Sequence, residues 1–290
     1  AQTESEHTIA PDGYAPWSGH VPDHGRRTPV TTYRLQMGAA LTFDDARRLV
    51  PYLHDLGITD VYLSPVLAAA PGSTHGYDVV DHTRISEVMG GRAGLERLAD
   101  DVHAAGMGLV LDIVPNHMAV PTPAWHNLPL WSVLRDGPDS PYASWFDVSV
   151  EAPILMPVLG ARIGKVLADE QLVLDRMTVP TEPERGEQWV LRYFDHVFPV
   201  AEGTQSLPMH VLVDRQHYRL AYWKVGDEET NYRRFFDVGT LAAIRVEDPE
   251  VFAGSHELVL DLLRMGVVDA LRVDHPDGLA DPTGYLNHLA

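Results

Sequence analysis

With 290 residues, 45% of them apolar, the chain is long enough to bury a large core as one α/β domain or two smaller ones. Its 41 acidic against 22 basic residues give a formal charge of −19, which repels nucleic acid and anionic membrane surfaces and suits a neutral or cationic substrate. The absence of cysteine excludes disulfides, thiolate metal sites and a cysteine nucleophile; with no bilayer-length apolar run and no basic-then-apolar leader pattern, the expected location is cytoplasmic.

Residues 1–28, rich in Pro, Gly, His and acids without periodicity, read as an irregular lead-in. Residues 29–115 then hold three strand and helix cycles. A weakly alternating strand is expected at 30–35. Phe43, Ala46, Leu49, Val50, Leu53 and Leu56 follow at helical spacing, with Thr42 as cap, Gly57 as stop and a kink at Pro51. A second strand at 60–64 leads into a long Gly/Pro/Ala/His loop through Asp81, and loops of that length inside compact domains are usually functional. Leu95, Leu98, Val102 and Ala105 mark the second helix, closed by Gly106. The third strand, 108–114, is apolar except for Asp112, the pattern of a strand buried on both faces. A buried aspartate needs a partner, and Arg272 on a neighbouring strand is the candidate.

After Asn116 the regularity breaks. Residues 116–247 contain proline-rich loops and strand-like runs at 171–174, 189–194 and 217–223, with no obvious long helix, and read as an inserted subdomain after the third strand. Residues 248–290 resume the pattern. A helix at 249–265 is capped by Asp248, and Val267, Val268, Ala270, Leu271 and Val273 form a short buried strand before Asp281 and Pro282 open another helix. Strands separated by single amphipathic helices imply parallel βα units, in a barrel or an open sheet. About three and a half such units do not close an eight-unit barrel.

Three polar clusters fall at strand ends: residues 73–81, 112–117 and 272–277. Taken singly, His75-Gly76-Tyr77-Asp78 is equally a turn with capping acids and Asn116-His117 equally a loop start. Their joint occurrence at successive strand ends is harder to obtain by accident, because in a parallel barrel those ends open on one face. Arg272 and Asp274 share one face of a strand. A guanidinium beside a carboxylate favours the ionised form that a carboxylate nucleophile requires.

Asp112-Ile113-Val114-Pro115-Asn116-His117 and Leu271-Arg272-Val273-Asp274 resemble the first two conserved regions of the α-amylase-type glycoside hydrolases. Within that superfamily the chain is most similar to the maltooligosyltrehalose synthases. The likeness runs through Thr32-Tyr33-Arg34-Leu35-Gln36, Gly72-Ser73-Thr74-His75-Gly76-Tyr77-Asp78, Gln216-His217-Tyr218-Arg219-Leu220, Asn231-Tyr232-Arg233-Arg234-Phe235-Phe236-Asp237 and Asp274-His275-Pro276-Asp277-Gly278. The resemblance implies the amino-terminal half of a (β/α)8 TIM barrel with a large insertion after the third strand. It further implies intramolecular transglucosylation that turns the reducing-end α-1,4 bond of maltooligosaccharides into an α,α-1,1 bond.

By the same resemblance Asp274 is the nucleophile, Arg272 holds it charged and Asp112 organises Arg272. His117 and Asp78 bind hydroxyls of the transferred sugar, Tyr77 stacks on its ring, and His75, Asn116 and His275 complete the sugar-binding set. Asn116 stands where related amylases often tie the insertion to calcium; no acidic partner cluster accompanies it, and no metal or cofactor is expected. Tyr222, Trp223, Tyr232, Phe235 and Phe236 are candidates for pocket walls, with core packing the plainer reading of each.

The acid/base glutamate and a third carboxylate lie on later strands in that family. The chain alone is therefore expected to be inactive and to need a carboxyl-terminal partner fragment of the same enzyme. The alternatives are an α-glucan hydrolase of the same superfamily and a non-catalytic glucan-binding fragment.

Overall fold

A computed structural model describes residues 28–290; the lead-in expected over 1–28 lies outside the described residues save for its last position. The chain opens with β1 (Thr32–Leu35) and α1 (Phe43–Asp55). Thr42 and Asp45 cap α1 reciprocally: the Asp45 N–H donates to Thr42 Oγ1, and the Thr42 N–H donates to Asp45 Oδ2. The helix buries Phe43, Ala46, Val50 and Leu53 and continues past Pro51 as one element. Gly57, at φ +85°, supplies the left-handed turn into β2 (Asp60–Leu63).

The long loop expected next is instead an antiparallel hairpin, β3 (Leu67–Ala69) and β4 (Val79–Ile85), with two register shifts. Asp81, His82, Thr83 and Arg84 break the apolar alternation of β4, so the segment reads as loop from its sequence. Then follow α2 (Gly91–Ala104) and β5 (Gly108–Ile113), in which all six residues are buried.

Between β5 and the next parallel strand the chain builds three small sheets. In order these residues form β6 (His117–Ala119), α3 (Leu128–Asp136), β7 (Ile154–Leu159), α4 (Ile163–Ala168), β8 (Val173–Thr178), β9 (Glu187–Tyr193) and β10 (His196–Pro199). They continue through α5 (Met209–Asp214), β11 (Tyr218–Tyr222), α6 (Gly226–Glu229), β12 (Arg234–Phe235) and β13 (Val238–Ala243). Strands β8, β9 and β10 pair antiparallel, β7 pairs with β11, and β13 lies between β6 and β12. Their shared apolar cluster includes Trp131, Phe146, Phe198 and Tyr218. Asn127 caps α3 by accepting from the Leu130 N–H, and Pro129 sits in the first turn, where a missing N–H costs nothing.

The chain returns through α7 (Pro249–Arg264), capped by Asp248, to β14 (Ala270–Val273), and ends with α8 (Pro282–Leu289), capped by Asp281. Strands β1, β2, β5 and β14 form one parallel sheet in that order. The strand expected to be buried from Val267 onward is an edge strand instead. Val268 is buried, but Ala270, Leu271, Arg272 and Val273 are all partly accessible, because among the described residues β14 pairs only with β5. Register places Arg272 beside Asp112 and Val273 beside Ile113, so the carboxyl ends of β5 and β14 open together.

Candidate active site

The parallel register stacks one polar residue from each of the four strands into a single network. Asp112 on β5 is 1% exposed. Its Oδ1 accepts from Arg272 Nη1 at 3.0 Å, and its Oδ2 accepts from the hydroxyls of Tyr62 and Tyr77, each at 2.7 Å. Arg34 on β1 extends the row, donating to the Tyr77 hydroxyl at 3.2 Å and lying over the Tyr62 ring. Burial and the hydrogen bond to Asp112 push the Tyr62 hydroxyl up to about 12, so it stays a donor. The buried aspartate thus has three donors, which offset the cost of keeping a carboxylate out of water.

Arg272 Nη1 also donates to Asp274 Oδ1, so one guanidinium bridges the two carboxylates. Burial alone would lower its pKa, but the hydrogen bonds to Asp112 and Asp274 raise it above the ordinary arginine value, and the cation is permanent. Asp274 is 6% exposed, its backbone N–H donates to Ile113 O, and its Oδ2 lies 3.2 Å from His275 Nδ1. His275 is held in the left-handed region, φ 43° and ψ 56°, where a non-glycine residue is uncommon and costs of order 1 kcal/mol or more. Its ring meets Phe235 and Phe236 edge-on, with centroids 4.9 and 5.7 Å away.

His117 lies behind this group, 1% exposed, with its ring 4.4 Å from Phe235. Its Nε2 is 3.0 Å from the Tyr77 carbonyl, which can only accept, so Nε2 carries the proton and Nδ1 faces Asn116 Nδ2 at 3.4 Å. Burial drives its pKa down to about 4, against the Tyr77 carbonyl and the Asp274 charge, and keeps the ring neutral. Asn116 is 2% exposed and its Oδ1 accepts from Arg233 Nη1 at 3.1 Å. Both residues of the expected sugar-binding set that follow β5 are therefore buried and engaged with protein partners.

The expected residues of the β3–β4 turn are more open. Tyr77 and His75 stack with centroids 6.1 Å apart, and the His75 side chain is half exposed, 3.7 Å from Asp78. Asp78 accepts from the Ser73 hydroxyl. Tyr62 and Arg34 were not legible as site residues; the available signal was their placement on parallel strands opposite the face of Val61 and Leu63. Among the described residues no three His, Asp or Glu side chains converge as metal ligands, and no helix is long and apolar enough to cross a membrane.

The family model of the alpha-amylase catalytic domain matches residues 47–284. A putative maltooligosyl trehalose synthase of Mycobacterium tuberculosis is 42% identical over 270 residues, which cover 90% of this chain and 32% of that protein. Among solved structures, maltooligosyltrehalose synthase from Arthrobacter ramosus superposes with a TM-score of 0.82 at 46% identity, covering 90% of this chain and 33% of that one. A hypothetical maltooligosyl trehalose synthase of Sulfolobus tokodaii gives 0.76 at 36% identity, covering 91% and 34%. The chain spans about a third of the length of these relatives.

Proposed function

The chain belongs to the family of the alpha-amylase catalytic domain, a TIM-barrel fold, and from this premise we propose that it carries the nucleophile side of a maltooligosyltrehalose-forming active site. The observation that carries the reading is the guanidinium of Arg272 bridging the buried Asp112 and Asp274 at adjacent parallel strand ends. A carboxylate so held is aimed and charged, as covalent glycosyl transfer needs.

In this reading Asp274 attacks the anomeric carbon at the reducing-end α-1,4 bond of a maltooligosaccharide. The C1–O4 bond breaks, the departing glucose takes a proton from a carboxylic acid, and a glycosyl-enzyme ester forms. The freed glucose turns within the site. Its anomeric hydroxyl then attacks C1 as its proton passes back to the carboxylate, giving an α,α-1,1 bond with net retention and releasing Asp274. Tyr77, Asp78, His75 and His275 line the sugar site, while His117 and Asn116 support it from behind. Residues 116–247 act as an inserted unit whose aromatics, Phe235 and Phe236 foremost, exclude water from the ester and favour transfer over hydrolysis.

The outer edge of β14 carries no partner strand among the described residues, and further polypeptide pairing there supplies the acid/base carboxyl. The test uses the protein expressed from its full coding sequence with maltopentaose. Loss of reducing ends together with a trehalose-ended pentasaccharide supports the reading. Reducing sugar accumulating in step with turnover assigns the site to hydrolysis instead.

A further inference from the structure

We propose that Arg233 is a positioning residue for Asp274, an inference that rests on Asp274 being the nucleophile. Arg233 precedes β12 and its backbone is fixed on both sides: its N–H donates to Asp147 O at 3.0 Å, and its carbonyl accepts from the Ala243 N–H at 2.8 Å. From that anchor the guanidinium reaches four acceptors on four segments. Nε donates to Asp147 Oδ2 at 2.7 Å, Nη1 to Asn116 Oδ1 at 3.1 Å and to the Gly278 carbonyl at 2.8 Å, and Nη2 to the Ile244 carbonyl at 3.5 Å.

Two of these acceptors flank the nucleophile. Gly278 closes the turn that follows Asp274, its N–H donating to the His275 carbonyl, so the Arg233 bond restrains the segment that holds His275 left-handed beside the Asp274 carboxylate. Asn116 joins the other side, since its amide meets the ring of His117 and its carbonyl accepts from the Ile244 N–H. The two sides also touch: a Cβ on Gly278 would lie 3.2 Å from Asn116 Oδ1. One planar fork therefore sets the spacing between the end of β5 and the turn after β14, and Asp274 is tied to both, its N–H donating to the Ile113 carbonyl at the end of β5 and its chain running directly into the turn. A lysine has a single nitrogen and cannot span these acceptors at once.

The test compares R233A and R233K with the parent, all expressed from the full coding sequence, and scores total glycosidic bond cleavage whatever the product. Misplacement of a nucleophile by about 1 Å costs about 100-fold, so R233A is expected to lose kcat by that order while KM changes by less than about threefold. Arg233 is partly exposed, so added guanidinium ion should restore part of the R233A rate. Hydrogen exchange should show peptides across 274–280 losing protection in both variants while α1 and α2 keep theirs, a readout that needs no activity. If R233A fails to fold, R233K carries the kinetic and exchange comparisons.

A folded variant with kcat within about twofold of the parent, or unchanged exchange at 274–280, overturns the proposal. A parent that releases reducing sugar overturns the transglucosylation reading and leaves the Arg233 comparison intact.

Discussion

Acid should destabilise this protein between pH 7 and pH 5 through three buried histidines. His82, His117 and His256 are 5%, 1% and 3% exposed, and burial drives their pKa values down from 6.5 to about 4, about 4 and about 3. Each is folded as a neutral ring. In the unfolded chain each returns to about 6.5 and takes up a proton that the folded state refuses. The stability they contribute is therefore complete above pH 6.5 and is lost as pH falls towards the folded values. At pH 5 an unfolded histidine lies about 1.5 units below its pKa, worth about 2 kcal/mol per residue. The three together cost about 6 kcal/mol between pH 7 and pH 5, against a total of about 5–15 kcal/mol for a typical domain.

Burial would raise the Asp81 carboxyl, but the hydrogen bonds from Thr83 and Arg84 outweigh it and hold the group below the ordinary carboxylate range, so Asp81 does not contribute in this window. Urea unfolding followed by circular dichroism at the two pH values measures the difference. His82 offers the cleanest subtraction, because among the described residues its Nδ1 has no hydrogen-bond partner to lose. His82→Gln should remove about a third of the pH dependence. Equal stability at pH 7 and pH 5, within about 1 kcal/mol, would refute the argument that these rings are folded neutral.

Asp274→Asn keeps the volume and removes the nucleophile; turnover should fall by about 10⁴-fold or more with the melting temperature little changed, and substantial residual transfer would remove Asp274 from the role. Gly76 sits at φ +79°, where a Cβ would lie only 2.5 Å from the Pro65 carbonyl oxygen, so Gly76→Ala should cost about 1–3 kcal/mol and raise KM by displacing Tyr77 and Asp78, read by thermal melts and kinetics together. Glu182 is buried in an ion pair with Arg135 and accepts from Trp131 Nε1. Glu182→Gln removes one of the two carboxylates on that arginine, which keeps its pair with Asp136 at 2.8 Å, and should cost about 1–2 kcal/mol in denaturant titration, with kcat measured in the folded protein preserved.

Where a segment's structure depended on its own spacing, the sequence was sufficient. The apolar positions of α1, with Thr42 before it and Gly57 after it, mark a capped amphipathic helix. The apolar run of β5, interrupted only by Asp112, marks a strand covered on both faces, and Asp248 before Pro249 marks the start of α7. The Arg272 and Asp274 pair is legible because two residues apart on a strand means one face. What failed was local patterning with mixed signals: polar residues concealed β4 in an apparent loop, and Leu128-Pro129 concealed the start of α3.

Other features have no local signal at all. Tyr62 and Tyr77 share Asp112 because β2 and the β3–β4 turn converge on β5, and the Arg272 guanidinium reaches Asp112 across 160 positions because β14 pairs with β5 in that register. Arg233 reads as one more charge in a basic dipeptide until tertiary packing brings Asn116, Asp147 and Gly278 around it. Hydrophobic period and capping chemistry are short-range properties written residue by residue, so the sequence alone determined the elements that obey them. Which side chains meet at the carboxyl ends of the strands depends on register and crossover, which only the assembled sheet decides.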